Sequence, residues 1–476
     1  MATSGRSGRE PLPGGGHPEG GTAPDRAVRE GGLRGRAGVR KGPADGRNAP
    51  AGGPRGRAGA TLVSAVLGSA LLVSAGLGCS PADRSGPAQP TAAPVSSSSA
   101  PARPTPVRAA CRTPLPESWR AALDAGEFRA PRGQRAVLTE VGPRARWTVV
   151  QLSDGQSRRA AVVEDAEAPR TLLTFADPVE HQLLAADVSA DGRWTAFAVL
   201  EGRTLDSPWS LYVQDAEGGM RRLARSAVPG PLPQPVVRDG AVFWAQGTGR
   251  GRATIFTSPV RPPGSGDTAP APRALHSGVI EAPFAAGGLL AWREASADGR
   301  STKLSALSFA TLRPAGLPGP VAALRGLRSP ASDGTTWAWV EDGADSADSA
   351  DGADGADGAD GADGAGGGDP RLVVWRQGQP APVARLSGAP AAEGLDQLRI
   401  SGELITWRTP EAAYALDLRS SAYTRITPRY GYAQARAGAL AVAYHKDRAK
   451  GPDARTVIQV VRADRLPRLP TPRDCG

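Results

Sequence analysis

Three observations predict an all-β chain built as a single β-propeller. Short apolar runs with β alternation recur between about residues 134 and 470, separated by tight turns carrying Gly and Asp. Large aromatics return about every 47 residues, at Phe197, Trp244, Trp292 and Trp339, and Trp407 rejoins the series once an Asp-Gly insertion is set aside. Only "PESWRAALDAGEF", 116–128, reads as a short helix. A period of roughly 40–50 residues holding three or four short strands is the pattern of one propeller blade.

Residues 188–226, "VSADGRWTAFAVLEGRTLDSPWSLYVQDAEGGMRRLARS", show the unit. The Asp191-Gly192 turn leads into "RWTAFAVL", "WSLYVQD" follows as a second strand, and Gly218-Gly219 turns the chain into "MRRLARS". Three antiparallel strands with tight turns make a meander. The order returns at "RARWTVVQL" (144–152), "GAVFWAQ" (240–246), "GLLAWRE" (288–294), "TTWAWVED" (335–342), "GELITWRT" (402–409) and "GALAVAYHKD" (438–447). Seven repeats are expected, anchored on Trp147, Phe197, Trp244, Trp292, Trp339, Trp407 and Tyr444, as four-stranded blades. Six is the alternative count, and the difference lies at the ends of the series.

Four segments are expected. Residues 1–58 are almost wholly Gly, Arg, Ala and Pro, with too little apolar surface to offset chain entropy, and read as a disordered basic leader. Residues 59–78 form an apolar signal or transmembrane segment. Residues 79–110, rich in Ser, Pro and Ala, form a disordered tether. The propeller fills 111–476, interrupted at 344–369 by an Asp/Gly-rich loop that lies between two strands of one blade and cannot pack. The Asp at every third place of that loop suits diffuse cation condensation rather than a chelate.

The formal charge of +10 suggests nucleic acid, but its distribution argues otherwise. Residues 1–78 hold 11 Arg/Lys against 5 Asp/Glu, and the rest of the chain carries only +4. A weakly charged body with no basic stripe is a poor nucleic-acid footprint.

The stretch "ATLVSAVLGSALLVSAGLGCS", Ala60 to Ser80, is long enough to span a bilayer, and Arg55 and Arg57 before it hold the N-terminus inside. A basic region, a small-residue apolar core and then Cys79 resemble a bacterial lipoprotein signal, which implies lipidation of Cys79. An ordinary cleaved signal and an uncleaved anchor are the alternatives, and all three export the body. The expected location is the outer face of the cell membrane, or the medium if the chain is secreted.

The unit at 189–223 resembles the TolB-type propeller repeat, on Ser189, Asp191, Gly192, Arg193, Tyr212, Asp215, Gly219 and Leu223. The match is specific in this repeat and degenerate in the other six. It implies an exported, non-enzymatic propeller that binds protein partners of the cell envelope, as a scaffold in export or wall assembly.

Nothing in the sequence carries a cofactor or metal motif. The four His, at 17, 181, 276 and 445, keep no ligand spacing. The stretch "GTGRGR" (247–252) joins two strands, so it reads as a hairpin rather than a phosphate loop. The turn "SADGR" occurs at 189–193 and 296–300 in different places of the repeat, as a turn does and a catalytic peptide does not. No Gly-x-Ser-x-Gly elbow is present. The expectation is therefore a monomeric protein-binding propeller without catalytic residues. The alternative is a propeller enzyme of the lactonase or dehydrogenase type, with its site in the central channel.

The cysteines complete the expectation. With Cys79 lipidated, Cys111 and Cys475 are the remaining thiols of an exported domain. They flank the first and last repeats, which a closed ring makes neighbours, so a Cys111–Cys475 disulfide is predicted as the ring's clasp.

Overall fold

The computed structural model describes residues 108–471, apart from 166, 262–269, 297–300, 344–367, 387–394, 429 and 446–455. The leader, the apolar segment with Cys79, most of the tether, most of the Asp/Gly-rich loop and Cys475 lie outside the described residues. No helix among the described residues is long and apolar enough to cross a membrane.

The chain is a β-propeller of antiparallel sheets. The first sheet runs through Arg135–Val141, Trp147–Ser153, Arg158–Glu164 and Arg170–Thr174 in sequence order. The second has the same order, through His181–Val188, Trp194–Glu201, Trp209–Asp215 and Met220–Ser226. The third has seven strands. Val236–Arg238, Ala241–Gly249, Arg252–Pro259 and Arg273–Ile280 form one meander, and Phe284–Ala286, Leu289–Ala295 and Thr302–Ser308 form another. The two are joined where Val279 and Ile280 pair with Ala295 and Glu294.

The fourth sheet, Arg328–Ser332, Thr336–Gly343, Gly368–Arg376 and Ala384–Leu386, gains Arg108–Ala109 as a parallel outer strand. The fifth, Asp396–Ser401, Leu404–Arg408, Ala413–Asp417 and Ala422–Arg425, gains Cys111–Arg112 in the same way. The sixth has three strands of its own, Tyr432–Arg436, Ala439–His445 and Thr456–Arg462. Its fourth is Glu127–Phe128 from the other end of the chain. The N-terminal segment 108–128 is thus a strap across the outer edges of three successive sheets.

The first strands of successive sheets pack on one another, and Tyr432–Arg436 of the sixth returns to Arg135–Val141 of the first, which closes the ring. The second strand of each meander carries a run of buried residues. Phe197, Trp244, Trp292, Trp339 and Trp407 are each the fourth residue of such a strand, which explains their even spacing. Several stack on the neighbouring strand: Phe197 on Tyr212 and Trp407 on Tyr414, both with centroids 5.5 Å apart, and Trp244 on Phe256 at 5.8 Å. Pairs of this kind add about 0.5–1.5 kcal/mol beyond area burial. Trp147 and Tyr444 are out of phase, as the first and sixth residues of their strands, and Val150 and Val442 occupy the phased positions.

The expected helix forms at Glu117–Ala125. Its Trp119 is fully buried, and the indole N–H donates to the carbonyl of Pro467 at 2.7 Å. Leu123, Leu466 and Leu469 pack in the same cluster, so the helix holds the C-terminal tail against the fifth and sixth sheets. The "GTGRGR" stretch is a hairpin between Ala241–Gly249 and Arg252–Pro259, with Arg250 and Gly251 both at positive φ.

The Ser189–Arg193 turn shows why its residues take that order. The Ser189 hydroxyl donates to Asp191 Oδ1 at 2.5 Å, and the Arg193 N–H donates to the same oxygen at 3.1 Å. The Trp194 N–H closes the turn on Ser189 Oγ at 2.9 Å. Gly192 sits at φ +74°, and a Cβ there would lie 2.0 Å from Cζ2 of Trp147 on the preceding sheet. Gly192→Ala is therefore expected to cost roughly 2 kcal/mol, from left-handed strain plus displacement of a packed indole. A urea midpoint equal to that of the unmutated chain would show that the turn does not hold the first two sheets together.

Candidate functional site

The first strands surround the axis, and their polar side chains meet there. Arg436 on the sixth sheet donates through Nη1 to Glu140 Oε2 of the first at 3.0 Å. Through Nη2 it donates to Asp187 Oδ1 of the second at 2.5 Å. The other oxygen of Asp187 accepts the N–H of Val237, on the third sheet, at 2.8 Å. With its amide nitrogen assigned toward Tyr432 Oη (2.8 Å) and Glu140 Oε1 (3.2 Å), the buried Gln434 also accepts from the Val141 N–H at 2.9 Å.

Electrostatics follow from this geometry. Burial works against the Arg436 charge, but Asp187 and Glu140 outweigh it and hold the guanidinium well above its ordinary value. Burial pushes the Asp187 carboxyl up, opposed by Arg436 and by the Val237 N–H. Burial also raises the Tyr432 phenol, and the facing Glu140 adds to it. One guanidinium thus neutralises two carboxylates and links four sheets through side chain and backbone. The triad is a fixed crosslink at the centre of the ring.

A second polar group lies where the two meanders of the third sheet meet. His276 Nε2 meets Glu294 Oε1 at 2.9 Å, and the Ser305 hydroxyl donates to Oε2 at 2.8 Å. The imidazole leans on Trp292 with centroids 4.9 Å apart. Serine and histidine both face the carboxylate, so no hydroxyl–imidazole relay forms. Burial works to raise the Glu294 carboxyl, but the bonds from Ser305 and His276 win and lower it. A lowered folded value means stability that is present above the unfolded value of about 4.3 and is lost as pH falls through the folded value. Glu294→Gln should therefore flatten the acid side of the melting-temperature profile below about pH 4.3. An unchanged acid limb would contradict the assignment.

The third feature is an open recess of about 770 Å³ on the flank, between the fifth and sixth sheets and the strap. Arg112, Arg120 and Arg425 line it against one acid, Asp124, over an apolar floor that includes Leu115, Leu123 and Ile426. Asp124 accepts from Gln459 Nε2 at 2.8 Å.

The structure places the TolB-type repeat residues in structural roles. Ser189, Asp191, Gly192 and Arg193 form the turn, and the Arg193 guanidinium lies 5.8 Å from the ring centre of Trp194. Tyr212 stacks on Phe197 and Leu223 is buried in the core. Asp215 is buried, and its Oδ1 accepts the Gly219 N–H at 2.7 Å, which closes the second turn. Cys111 is disulfide-bonded. Cys475, its expected partner, and Cys79 lie outside the described residues. No group of metal-ligating side chains occurs among the described residues. Sequence reasoning missed Glu140, Asp187, Arg436 and the whole recess.

No family model and no curated protein matches the chain. Solved structures do resemble it. A prolyl endopeptidase is 13% identical, with a TM-score of 0.41, over 75% of this chain and 51% of that one. The β-propeller domain of the Trilobed protease from Pyrococcus furiosus is 8% identical, with a TM-score of 0.40, over 65% of this chain and 91% of that one. TolB from Acinetobacter baumannii is 13% identical, with a TM-score of 0.33, over 69% of this chain and 63% of that one. The chain spans about half the length of the prolyl endopeptidase it matches. These likenesses concern the fold. They overturn one expectation, that of a non-enzymatic chain: peptidases stand beside TolB among the similar structures, so the propeller does not argue against catalysis.

Proposed function

We propose that this chain is a seven-bladed propeller held at the outer face of the cell membrane, and that its flank binds a protein partner of the envelope. The observation that carries the binding reading is the recess, where arginines stand over an apolar floor at the rim of the ring. A concave, partly apolar surface with a few convergent polar groups is what recognition sites share. The blade count follows from treating the seven-stranded third sheet as two blades joined at one edge pairing. The address rests on the Ala60–Ser80 segment, with Cys79 as the lipidated residue and the following residues as the tether.

Cell fractionation with added protease tests the address. The chain should sediment with membranes and be cut in intact cells, and Cys79→Ser should lose lipid labelling. A protease-protected chain in the soluble fraction would contradict it. Isolation from solubilised membranes tests the function: an envelope protein should elute with the propeller, and elution of the propeller alone would count against a partner.

A further inference from the structure

The strap leaves one strand edge uncovered, and the recess opens there. Cys111 and Arg112 pair with Ala422 and Tyr423, and the Thr113 N–H then donates to the Tyr423 carbonyl at 2.8 Å. Beyond that bond the strap turns away into the helix Glu117–Ala125. The strand Ala422–Arg425 continues for two more residues, held on its inner side by Tyr414 and Ala415. Thr424 and Arg425 both line the recess. A strand edge bordered by space is a template for another extended chain.

The surrounding chemistry fixes what kind of chain fits. Among the described residues Arg112 forms no ion pair, and it stands exposed beside the slot. Arg425 uses its Nε on the Thr427 carbonyl at 2.8 Å and has no carboxylate partner among the described residues. Among the described residues Arg120 pairs only with Glu117, both well exposed, at 3.2 Å. Asp124, the one acid lining the recess among the described residues, accepts from Gln459. The Thr424 hydroxyl, on a residue that lines the recess, is fully buried with no hydrogen-bond partner among the described residues.

We infer that the recess takes an extended acidic segment of a partner protein, laid along the Thr424–Arg425 edge. Its carboxylates face Arg112 and Arg425, and its alternate apolar side chains rest on Leu115, Leu123 and Ile426. This deepens the partner-binding reading and rests on it. A neutral segment would leave the arginines uncompensated, and a basic one would meet like charge.

The test is fluorescence anisotropy of the exported propeller, residues 79–476, with a labelled Glu-Leu-Glu-Leu-Glu peptide, its Gln-Leu counterpart and its Lys-Leu counterpart. Saturable binding of the Glu peptide alone is expected, weakening with salt and falling at least tenfold in the Arg112→Gln/Arg425→Gln double variant. Arg203→Gln, at the rim of the second sheet, should leave binding unchanged and controls for diffuse charge. Absence of saturable binding would overturn the inference, as would equal binding of the Gln peptide or an unaffected double variant. None of those results touches the partner reading, which is tested separately by recovery of an envelope protein with the full chain.

Discussion

Arg436→Met is expected to destabilise the ring by about 3–5 kcal/mol, because it strands two buried carboxylates without a counter-charge. Glu140 and Asp187 are 7% and 1% exposed, so solvent cannot replace the guanidinium. Truncation alone would lose packing as well, and a second variant separates the two effects. The triple change Glu140→Gln, Asp187→Asn, Arg436→Met removes all three charges yet keeps an acceptor for the Val237 N–H. It should recover at least half of the lost stability. Urea unfolding reads both. If the triple variant is as unstable as the single one, uncompensated charge is not the cause and the triad is ordinary packing.

Cys111→Ser or Cys475→Ser is expected to lower stability by several kcal/mol, on the order of 5 by the chain-entropy relation for so long a loop. The pairing rests on where the two ends lie. The Cys111 N–H donates to the Ser421 carbonyl at 3.0 Å, and the Thr471 hydroxyl donates to the adjacent Ser420 carbonyl at 3.4 Å. The first and last described stretches therefore meet one turn of the fifth sheet. Cys475 lies four peptide steps beyond Thr471, a reach of at most about 14 Å. The C-terminal tail is tied down on the way: the Leu469 N–H donates to the buried Asp417 at 2.9 Å, and Arg419 reaches the carbonyls of Leu466 and Pro467 at 3.4 Å. Peptide mapping without reductant should link the two cysteines, and each serine variant should melt where the reduced wild type does. A free thiol at Cys475 would contradict the clasp.

What was legible in the sequence divides along the strands of each blade. The second strands, such as "WTAFAVLE" and "AVFWAQGTG", are buried on both faces and read as strong apolar runs. The turn after the first strand carries Asp-Gly chemistry, and that made the second blade recognisable. First strands were invisible for two reasons. Val236–Arg238 and Phe284–Ala286 are three residues long, too short for a period. In "RAVLTEV" and "YAQAR" the positions facing the axis are polar, so alternation is blurred by the residues that form the central triad. Arg436 and Asp187 lie 249 residues apart, and only ring closure brings them together. The strap strands of two residues each carry no pattern either, which hid the uncovered edge and with it the recess. Trp147 and Tyr444 misled the phase because aromatics also fill other places in a blade: Trp147 packs under Gly192 of the next turn.

The central claim is that a protein partner sits on the flank of this propeller, outside the membrane. Photo-crosslinking in intact cells tests it most directly, with the crosslinkable residue placed at Arg425 in one strain and at Leu205 in another. Leu205 is 61% exposed and lies in the turn between Trp194–Glu201 and Trp209–Asp215 of the second sheet, with which no strap strand pairs. A single envelope protein captured from Arg425 and not from Leu205 is the predicted result. No captured protein from Arg425, or the same proteins from both positions, would contradict the claim.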